Sequence, residues 1–476
     1  MVSLARVIAT IGTAKNGDEQ RQKGKTRVIR KTGSMWIFLA KITLIIIIIG
    51  IFYIGQMAFY AYTRFYFWGN YIVLMLYVIN LYFTSRIFRG MSFGSIEWQE
   101  GALSWVLCLT ITNGLQYLLL SLLESRMLPV SGILFVFGAQ LILIVPLTYL
   151  VDKLYYNLHP AHKAIIIYGD EHKANAYCQI IKKHRKKFEI ERIISQSEPL
   201  ETVLNSIEEA ESVFFLDVDE NHKGYMLEYC YLHDKRMYIL PTFSGVLLNS
   251  AEVTWISRNP MFLPRSPKID PTLLFIKRIM DIVISTLVII ALSWLMFITW
   301  AAILLCDRKP AIYKQTRITR GEKHFTLYKF RSMRPDAEAD GIPRLSTQHD
   351  DRVTPIGRFI RKTRIDELPQ LFNVLMGSMS LVGPRPERPE IAGQYRAIYP
   401  SFSFRTKVKA GLTGYAQIYG RYNTAPDEKL FLDLMYIERF SIWQDIKLIF
   451  QTLKVVFMTS STEGIREDEI TALRKN

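Results

Sequence analysis

Residues 361–387 read RKTRIDELPQLFNVLMGSMSLVGPRPE, and the rest of the chain is organised around this stretch. Two carboxylates, Asp366 and Glu367, stand side by side at the predicted start of a helix. Pro369 suits a first helical turn, where its missing N–H costs nothing. Leu368, Leu371, Phe372, Leu375 and Met376 recur at helical spacing and make one apolar face. Arg361, Lys362 and Arg364 lie just before the pair, and Arg385 lies beyond it, between Pro384 and Pro386. An acidic pair at a helix start can serve only to cap the helix and complement its dipole. Ringed by arginines and next to an apolar face, it also suits a reaction on an anionic substrate at a membrane surface.

Composition narrows the choice. A chain of 476 residues has room for two to four domains. Hydrophobic residues make up 50% and mean hydropathy is +0.12, too apolar for an ordinary soluble protein. The formal net charge of +16 fits nucleic acid, an anionic membrane or phosphorylated substrates. With several long apolar runs present, membrane plus phosphate is the simpler explanation, and no nucleic-acid partner is expected. Cys108, Cys178, Cys230 and Cys306 are scattered, which suggests neither a zinc site nor a disulfide framework.

A basic tail, residues 1–34, is expected to be flexible. Four apolar runs follow, roughly 36–60, 67–83, 102–123 and 132–151, each able to cross a bilayer, which needs about 20 residues. Arg86, Arg89, Lys153 and Lys163 in the connections place the N-terminus and residue 152 on the cytoplasmic side by the positive-inside rule. Apart from Lys41 near an end, no charge sits deep in these runs, which argues against an ion pathway and a transporter. Between 163 and 265, strands at 164–169, 188–194, 212–217 and 236–241 alternate with helical segments, the pattern of a parallel α/β unit. Its first strand ends in Gly169-Asp-Glu-His-Lys-Ala, with one glycine where a dinucleotide fingerprint needs three. The unit reads as Rossmann-like, without a dinucleotide.

The fifth apolar run, Ile282 to Leu305, is long enough to span, yet Lys277 and Arg278 precede it and Arg308 and Lys309 follow. Two cytoplasmic-type flanks predict a re-entrant hairpin, with a break at Ser293. Beyond it, residues 325–333 alternate and predict a strand presenting Lys329 and Arg331, or simply a solvated face. Arg334 to Asp351 is a polar loop. Residues 407–417 are a glycine-punctuated turn that lets backbone approach a nucleotide closely, or a plain surface loop. Segments 430–440 and 442–458 are amphipathic; they suit helices in the membrane interface plane with Trp443 as an anchor, or core packing.

From about Lys277 to Met458 the chain resembles the bacterial polyprenyl-phosphate phosphoglycosyl transferases, the monotopic sugar transferases. The resemblance rests on Arg361, Asp366-Glu367-Leu368-Pro369-Gln370, Asn373, Met379-Ser380-Leu381, Gly383-Pro384-Arg385-Pro386, the Lys329-Phe-Arg-Ser-Met333 run and Gly411-Leu-Thr-Gly-Tyr-Ala-Gln417. Three departures stand out: Ser293-Trp294 replaces a Ser-Pro pair, Arg308-Lys309-Pro310-Ala311 a Ser-Pro-Gly-Pro turn, and Thr319 a glycine. The implied fold is a membrane protein of α plus α/β class. After the tail, residues 35–152 form a four-helix transmembrane bundle and 153–268 a Rossmann-like cytoplasmic domain. Residues 269–460 form a mostly helical monotopic catalytic domain with a re-entrant helix at about 279–306, and 461–476 a polar tail.

The implied activity is transfer of a sugar-1-phosphate from a UDP-sugar to undecaprenyl phosphate, releasing UMP, at the cytoplasmic face of the bacterial inner membrane. It would initiate exopolysaccharide, capsule or O-antigen synthesis. In that role Asp366 is the expected nucleophile and Glu367 the Mg²⁺ ligand. Arg361 and Arg385 hold phosphate, and Lys329, Arg331, Arg317, Gly414 and Gln417 complete the expected substrate site. The physical sense is plain: both substrates are anions, and a covalent step divides their encounter in two. Neighbouring helical residues point about 100° apart, so the two carboxylates can do different jobs. A homodimer is plausible. The alternatives are a non-catalytic assembly protein on the same scaffold and a transporter or sensor with a nucleotide-binding module.

Overall fold

The computed structural model describes residues 17–60, 68–264, 269–307, 309–334, 337, 350–420 and 425–457. The residues before 17, most of the polar loop expected at 334–351, and the tail after 457 lie outside these. The described residues fall into two compact units, divided between Leu240 and Pro241.

The first unit opens with four long helices: α1 (Gly17–Phe59), α2 (Gly69–Phe88), α3 (Trp98–Leu123) and α4 (Val130–Leu158). All four contain segments long and apolar enough to cross a membrane. Helix α1 starts inside the tail expected to be flexible; its Lys, Arg and Gln residues are good helix formers and extend a helix already nucleated by the apolar run. Packing between the helices is partly polar. Asn113 donates to Gln140 at 2.8 Å, Gln140 donates to the Tyr77 hydroxyl at 2.8 Å, and Thr84 meets Thr112 at 2.8 Å. Such bonds fix which helix faces meet where lipid offers no hydrophobic preference.

A four-stranded parallel sheet follows in the order β2-β1-β3-β4. Its strands are β1 (His162–Tyr168), β2 (Phe188–Ser195), β3 (Ser212–Leu216) and β4 (Arg236–Ile239). Between them run α5 (Glu171–Lys183), α6 (Leu200–Glu209) and α7 (Glu220–Leu232). Ala164, Ile165, Ile166 and Ile167 are all buried, as expected of a strand covered on both faces. A Cβ on Gly169 would lie 2.1 Å from the Asp217 carbonyl oxygen. The single glycine is therefore spent on closing β1 against the end of β3.

The second unit begins with α8 (Phe243–Leu248) and the hairpin β5 (Glu252–Ile256) and β6 (Asn259–Leu263). Val246 belongs to this unit's core. Helix α9 (Pro271–Asp307) carries the fifth segment able to cross a membrane. The expected break at Ser293 is absent: α9 is one helix of 37 residues. With no proline to remove a ladder bond, the Ser293 hydroxyl simply donates to the Ile290 carbonyl at 2.9 Å. Both ends of α9 are fastened to the same unit. Near the start, Lys277 pairs with Asp445 at 2.6 Å and Asp281 accepts the Leu381 N–H at 3.1 Å. Near the end, Ile303 packs with Ala311, Phe330 and Ile360. Ile279, Val283, Leu287, Ile290, Trp294 and Phe297 remain exposed on the helix.

The remaining elements are the antiparallel pair β7 (Ile312–Ile318) and β8 (His324–Phe330), α10 (Pro355–Lys362), α11 (Gln370–Met376), β9 (Ser380–Val382) and α12 (Pro389–Ile398). They are followed by β10 (Gly411–Thr413), α13 (Tyr415–Tyr419), α14 (Pro426–Glu438) and α15 (Ile442–Phe457). The two helices read as interfacial differ. Helix α14 is a core helix, burying Leu430, Leu434, Tyr436 and Ile437; its apolar stripe faces protein. Helix α15 buries Asp445, Leu448, Gln451 and Lys454 and leaves Trp443, Leu453 and Phe457 exposed. An outward apolar face of that kind suits a membrane interface.

Candidate active site

Four short elements bring the signature residues together. The Thr354 side chain caps α10 by accepting the Gly357 N–H at 3.0 Å. A Cβ on Gly357 would lie 1.9 Å from the Ser332 carbonyl oxygen, so this glycine lets α10 rest directly on the chain after β8. Arg364 then adopts a left-handed conformation, φ 58°, which turns the chain out of α10. Asp366 and Glu367 follow in a 3-10 turn, Ile365–Glu367, rather than on the helix start that their spacing predicted. The reason is Pro369. It has no N–H to give the Ile365 carbonyl, and the Leu368 N–H takes that oxygen instead at 3.1 Å. The α-helix begins only at Gln370.

The two adjacent carboxylates have opposite electrostatic surroundings. Glu367 Oε1 meets Arg385 at 3.1 Å, Lys329 at 3.4 Å and Arg364 at 3.8 Å. Burial alone would raise its pKa, but these three cations outweigh burial and hold the carboxyl well below the usual carboxylate range. Asp366 is 8% exposed and forms no hydrogen bond or ion pair among the described residues. Burial first, then repulsion from Glu367, raises its pKa to about 6, against the pull of Lys329, Arg361 and Arg364. A buried carboxylate without a partner is costly.

A second layer stiffens the cations. The Arg385 carbonyl accepts from Arg405 at 2.9 Å. Arg405 pairs in turn with Asp433 at 2.7 Å and Glu387 at 3.6 Å, and Lys429 lies 3.9 Å from Glu387. Arg317 donates to the Pro386 carbonyl at 3.0 Å, and burial pushes its guanidinium down to about 10. The Pro384-Arg385-Pro386 segment is thus gripped from both sides. Burial raises the pKa of Asp433 to about 6, with Arg405 opposing. Arg405, Asp433, Glu387 and Lys429 were not among the sequence-predicted site residues. The usable signal was Asp433 itself, an acid interrupting the apolar stripe Leu430, Leu434, Ile437.

The glycine-punctuated turn joins the site through backbone. Strands β9 and β10 pair in parallel, Gly411 with Ser380 and Thr413 with Val382. A Cβ on Gly411 would lie 2.1 Å from the Gly383 nitrogen, and one on Gly414 2.3 Å from the Gly383 carbonyl oxygen. The Gln417 amide is buried, and among the described residues neither its nitrogen nor its oxygen is hydrogen-bonded. Such an amide is expected to find a partner. Of the predicted residues, Lys329, Arg385 and Glu367 meet directly, Arg361 acts on Asp366 through charge, and Arg317 supports the Arg385 segment. Arg331 is not brought to the carboxylates; its N–H bonds the Ala311 carbonyl.

Among the described residues no group of three or more His, Cys, Asp or Glu side chains could hold a metal alone. The donor set nonetheless fits Mg²⁺, which is commonly held by one or two carboxylates completed by substrate phosphates and water. Glu367 and Asp366 would supply those carboxylates.

A buried cluster of arginines and lysines around two unequal carboxylates, on a unit bearing an apolar helix, suits phosphorylated ligands close to a membrane. Residues 272–459 match the bacterial sugar transferase family, and over that segment the chain is similar to undecaprenyl-phosphate sugar phosphotransferases. It is 36% identical over 232 residues to a UDP-N-acetylgalactosamine-undecaprenyl-phosphate N-acetylgalactosaminephosphotransferase of Aeromonas hydrophila, covering 48% of this chain and 53% of the relative. It is 35% identical over 240 residues to an undecaprenyl-phosphate galactose phosphotransferase of Salmonella typhimurium, covering 47% and 50%. It is 38% identical over 232 residues to a UDP-glucose:undecaprenyl-phosphate glucose-1-phosphate transferase of Klebsiella pneumoniae, covering 47% and 49%. The matches span about half the length of these relatives.

Proposed function

We propose that the protein transfers a sugar-1-phosphate from a UDP-sugar to undecaprenyl phosphate and releases UMP. The observation that carries this reading is the unpaired, buried Asp366 beside a Glu367 held by three cations. An Asp366 carboxylate oxygen attacks the β-phosphorus of the donor. The bond from that phosphorus to the bridging oxygen breaks, and UMP leaves with the electron pair. The aspartyl phosphosugar is then attacked by a phosphate oxygen of the acceptor, which breaks the phosphorus–Asp366 bond and frees the carboxylate. Arg361, Arg364 and Lys329 favour the ionised nucleophile, and Arg385 presents a guanidinium fork to the diphosphate. Gln417, with its buried amide unfilled, is suited to donate to and accept from the nucleotide base. Mg²⁺, held by Glu367 with help from Asp366, would neutralise charge on the diphosphate and on the leaving UMP.

The reaction would take place on the cytoplasmic face of the inner membrane and begin the synthesis of an exopolysaccharide, capsule or O-antigen. In this reading residues 35–152 span the bilayer, the parallel sheet forms a cytoplasmic Rossmann-like module, and both ends of α9 stay on the same face, the unbroken helix curving within one leaflet instead of turning at a break. The fastening of both ends of α9 to one unit supports that topology, as does the exposed apolar side of α15. Phe359, Phe372 and Met376 are exposed on α10 and α11 and would bring the site to headgroup depth. The test is UMP release from a panel of UDP-sugars by the full chain in nanodiscs with undecaprenyl phosphate and Mg²⁺. Without acceptor, the wild type should gain the mass of one phosphosugar on Asp366, and Asp366→Asn should not. UMP release by folded Asp366→Asn at the wild-type rate would sink the proposal.

A further inference from the structure

A second cationic site lies in the same unit, apart from the reacting carboxylates. A cleft of about 550 Å³ opens beside the first turns of α9. Lys277, Arg278, Arg320, Lys407 and Lys409 line it, with Asp281 as the one acid. Two of the cations are committed: Lys277 pairs with Asp445, and Arg278 donates to the Val374 and Leu375 carbonyls at 2.6 Å each. Asp281 is engaged by the Leu381 N–H. Arg320, Lys407 and Lys409 have no carboxylate partner among the described residues, and Lys407 only stacks over Phe404. Burial, together with repulsion from Arg278, Arg320 and Lys277, pushes the Lys409 ammonium below the usual lysine range, with Asp281 opposing. The Ser380 side chain, on a residue 0% exposed, lines the cleft, and its hydroxyl has no hydrogen-bond partner among the described residues. Uncompensated like charges around a buried, unfilled hydroxyl are the complement of an anion.

The size and surroundings say which anion. A volume of about 550 Å³ is typical of small-molecule sites, about 300–1,000 Å³, and far exceeds what one phosphate ion fills. Pro271, Leu274 and Phe440 add apolar wall. Helix α9, which walls the cleft, is long and apolar enough to cross a membrane and exposes Phe275, Ile276, Ile279 and Val283 on its far side, so the cleft stands beside a helix suited to lipid. The cleft is at the C-terminal end of α11, where Arg278 caps it, and Asp366 precedes the N-terminal end. Seven helical residues separate them, about 10 Å at 1.5 Å per residue.

We propose that this cleft binds the phosphate headgroup of an anionic membrane lipid, held by Arg320, Lys407 and Lys409, at a site distinct from Asp366 and Glu367. The inference goes beyond the proposed reaction and does not depend on it.

The test uses the full chain in nanodiscs of phosphatidylcholine with phosphatidylglycerol. Native mass spectrometry reads how much phosphatidylglycerol stays bound after release. The wild type should retain it, and the Arg320→Gln/Lys407→Gln/Lys409→Gln variant should lose at least about tenfold, since each charge-assisted bond is worth that much or more. Equal retention by a folded triple variant overturns the proposal. If the triple variant does not fold, Arg320→Gln alone, at an exposed position, should show about a tenfold loss, and equal retention again overturns it. The Asp366→Asn/Glu367→Gln variant should retain lipid like the wild type; loss there would place the lipid at the carboxylates and overturn the separate site. Displacement by inorganic phosphate alone would make this a free-phosphate site and overturn the lipid assignment.

Discussion

Asn373 accepts the backbone N–H of Tyr328 at 3.0 Å through its side-chain oxygen, and its amide nitrogen donates to the Thr326 carbonyl at 2.7 Å. One side chain on α11 thus imitates a neighbouring strand for β8. It sets the strand that carries Lys329 against the helix that follows Glu367. Replacing Asn373 with leucine leaves a backbone N–H and a carbonyl unpaired, at about 1–3 kcal/mol each. We expect Asn373→Leu to unfold at lower denaturant concentration and to lose transferase activity even where it remains folded, because Lys329 is no longer held at Glu367. Chemical denaturation read beside UMP release checks both. Unchanged stability would mean that the clamp carries no load.

The two carboxylates should move stability in opposite directions. Asp366 has a raised pKa, about 6 against an ordinary 3.8. The folded state therefore keeps a proton between those values that the unfolded chain releases. Stability contributed by this group falls as pH rises through that window, and above it the charge is a standing cost, on the order of 1–3 kcal/mol. Asp366→Asn should stabilise the protein at neutral pH while abolishing activity, and the gain should vanish below about pH 4. Glu367 is the reverse: its depressed pKa contributes stability above the ordinary glutamate range that is lost on acidification. Glu367→Gln should destabilise at neutral pH and leave three cations facing a neutral group. Thermal melts of both variants across pH decide the matter; parallel shifts would contradict the assignment.

Much of this was legible in the chain and some was not, for identifiable reasons. The run Ala164–Ile167 announced a strand buried on both faces because such strands need no alternation. The apolar stretch of α9 followed from hydropathy, but its start at Pro271 and its continuity did not, since a serine can bend a helix or simply bond back into it. The left-handed Arg364 was invisible, because glycine or asparagine is the usual mark of that conformation. The triple pairing of Glu367 was half visible. Its arginines were adjacent in sequence or flanked by prolines, but Lys329 arrives only through the clamp on Asn373.

The pair Lys277–Asp445 fastens α9 to α15 out of contact with water, with side chains 8% and 0% exposed. Tyr436 also donates to Asp445 at 2.9 Å. Removing one partner strands the other's charge, so Lys277→Met should cost about 3–5 kcal/mol. The double variant Lys277→Met/Asp445→Leu should recover most of that, since the Tyr436 hydroxyl still reaches the Val382 carbonyl. Urea unfolding of the four proteins in the cycle gives the coupling directly. Additive losses would show that the pair does not hold the helix.

The two ends of α9 should report the same side of the membrane. Cys306 is exposed near the C-terminal end, and a cysteine introduced at Thr272 would stand near the start. In sealed inverted vesicles, a membrane-impermeant maleimide should label both, measured in a background with the three buried cysteines replaced. Labelling of one position in inverted vesicles and the other in right-side-out vesicles would show a spanning helix instead.

At Gly383 and Gly411 backbone lies directly on backbone, with no side chain between that could repack. The strand leading to Arg385 and the turn leading to Gln417 therefore behave as one rigid plate. A nudge to either is passed on at full amplitude. The grip on a substrate's phosphate and the grip on its base would then tighten or slacken together, and a donor lacking one of them would be handled badly by both.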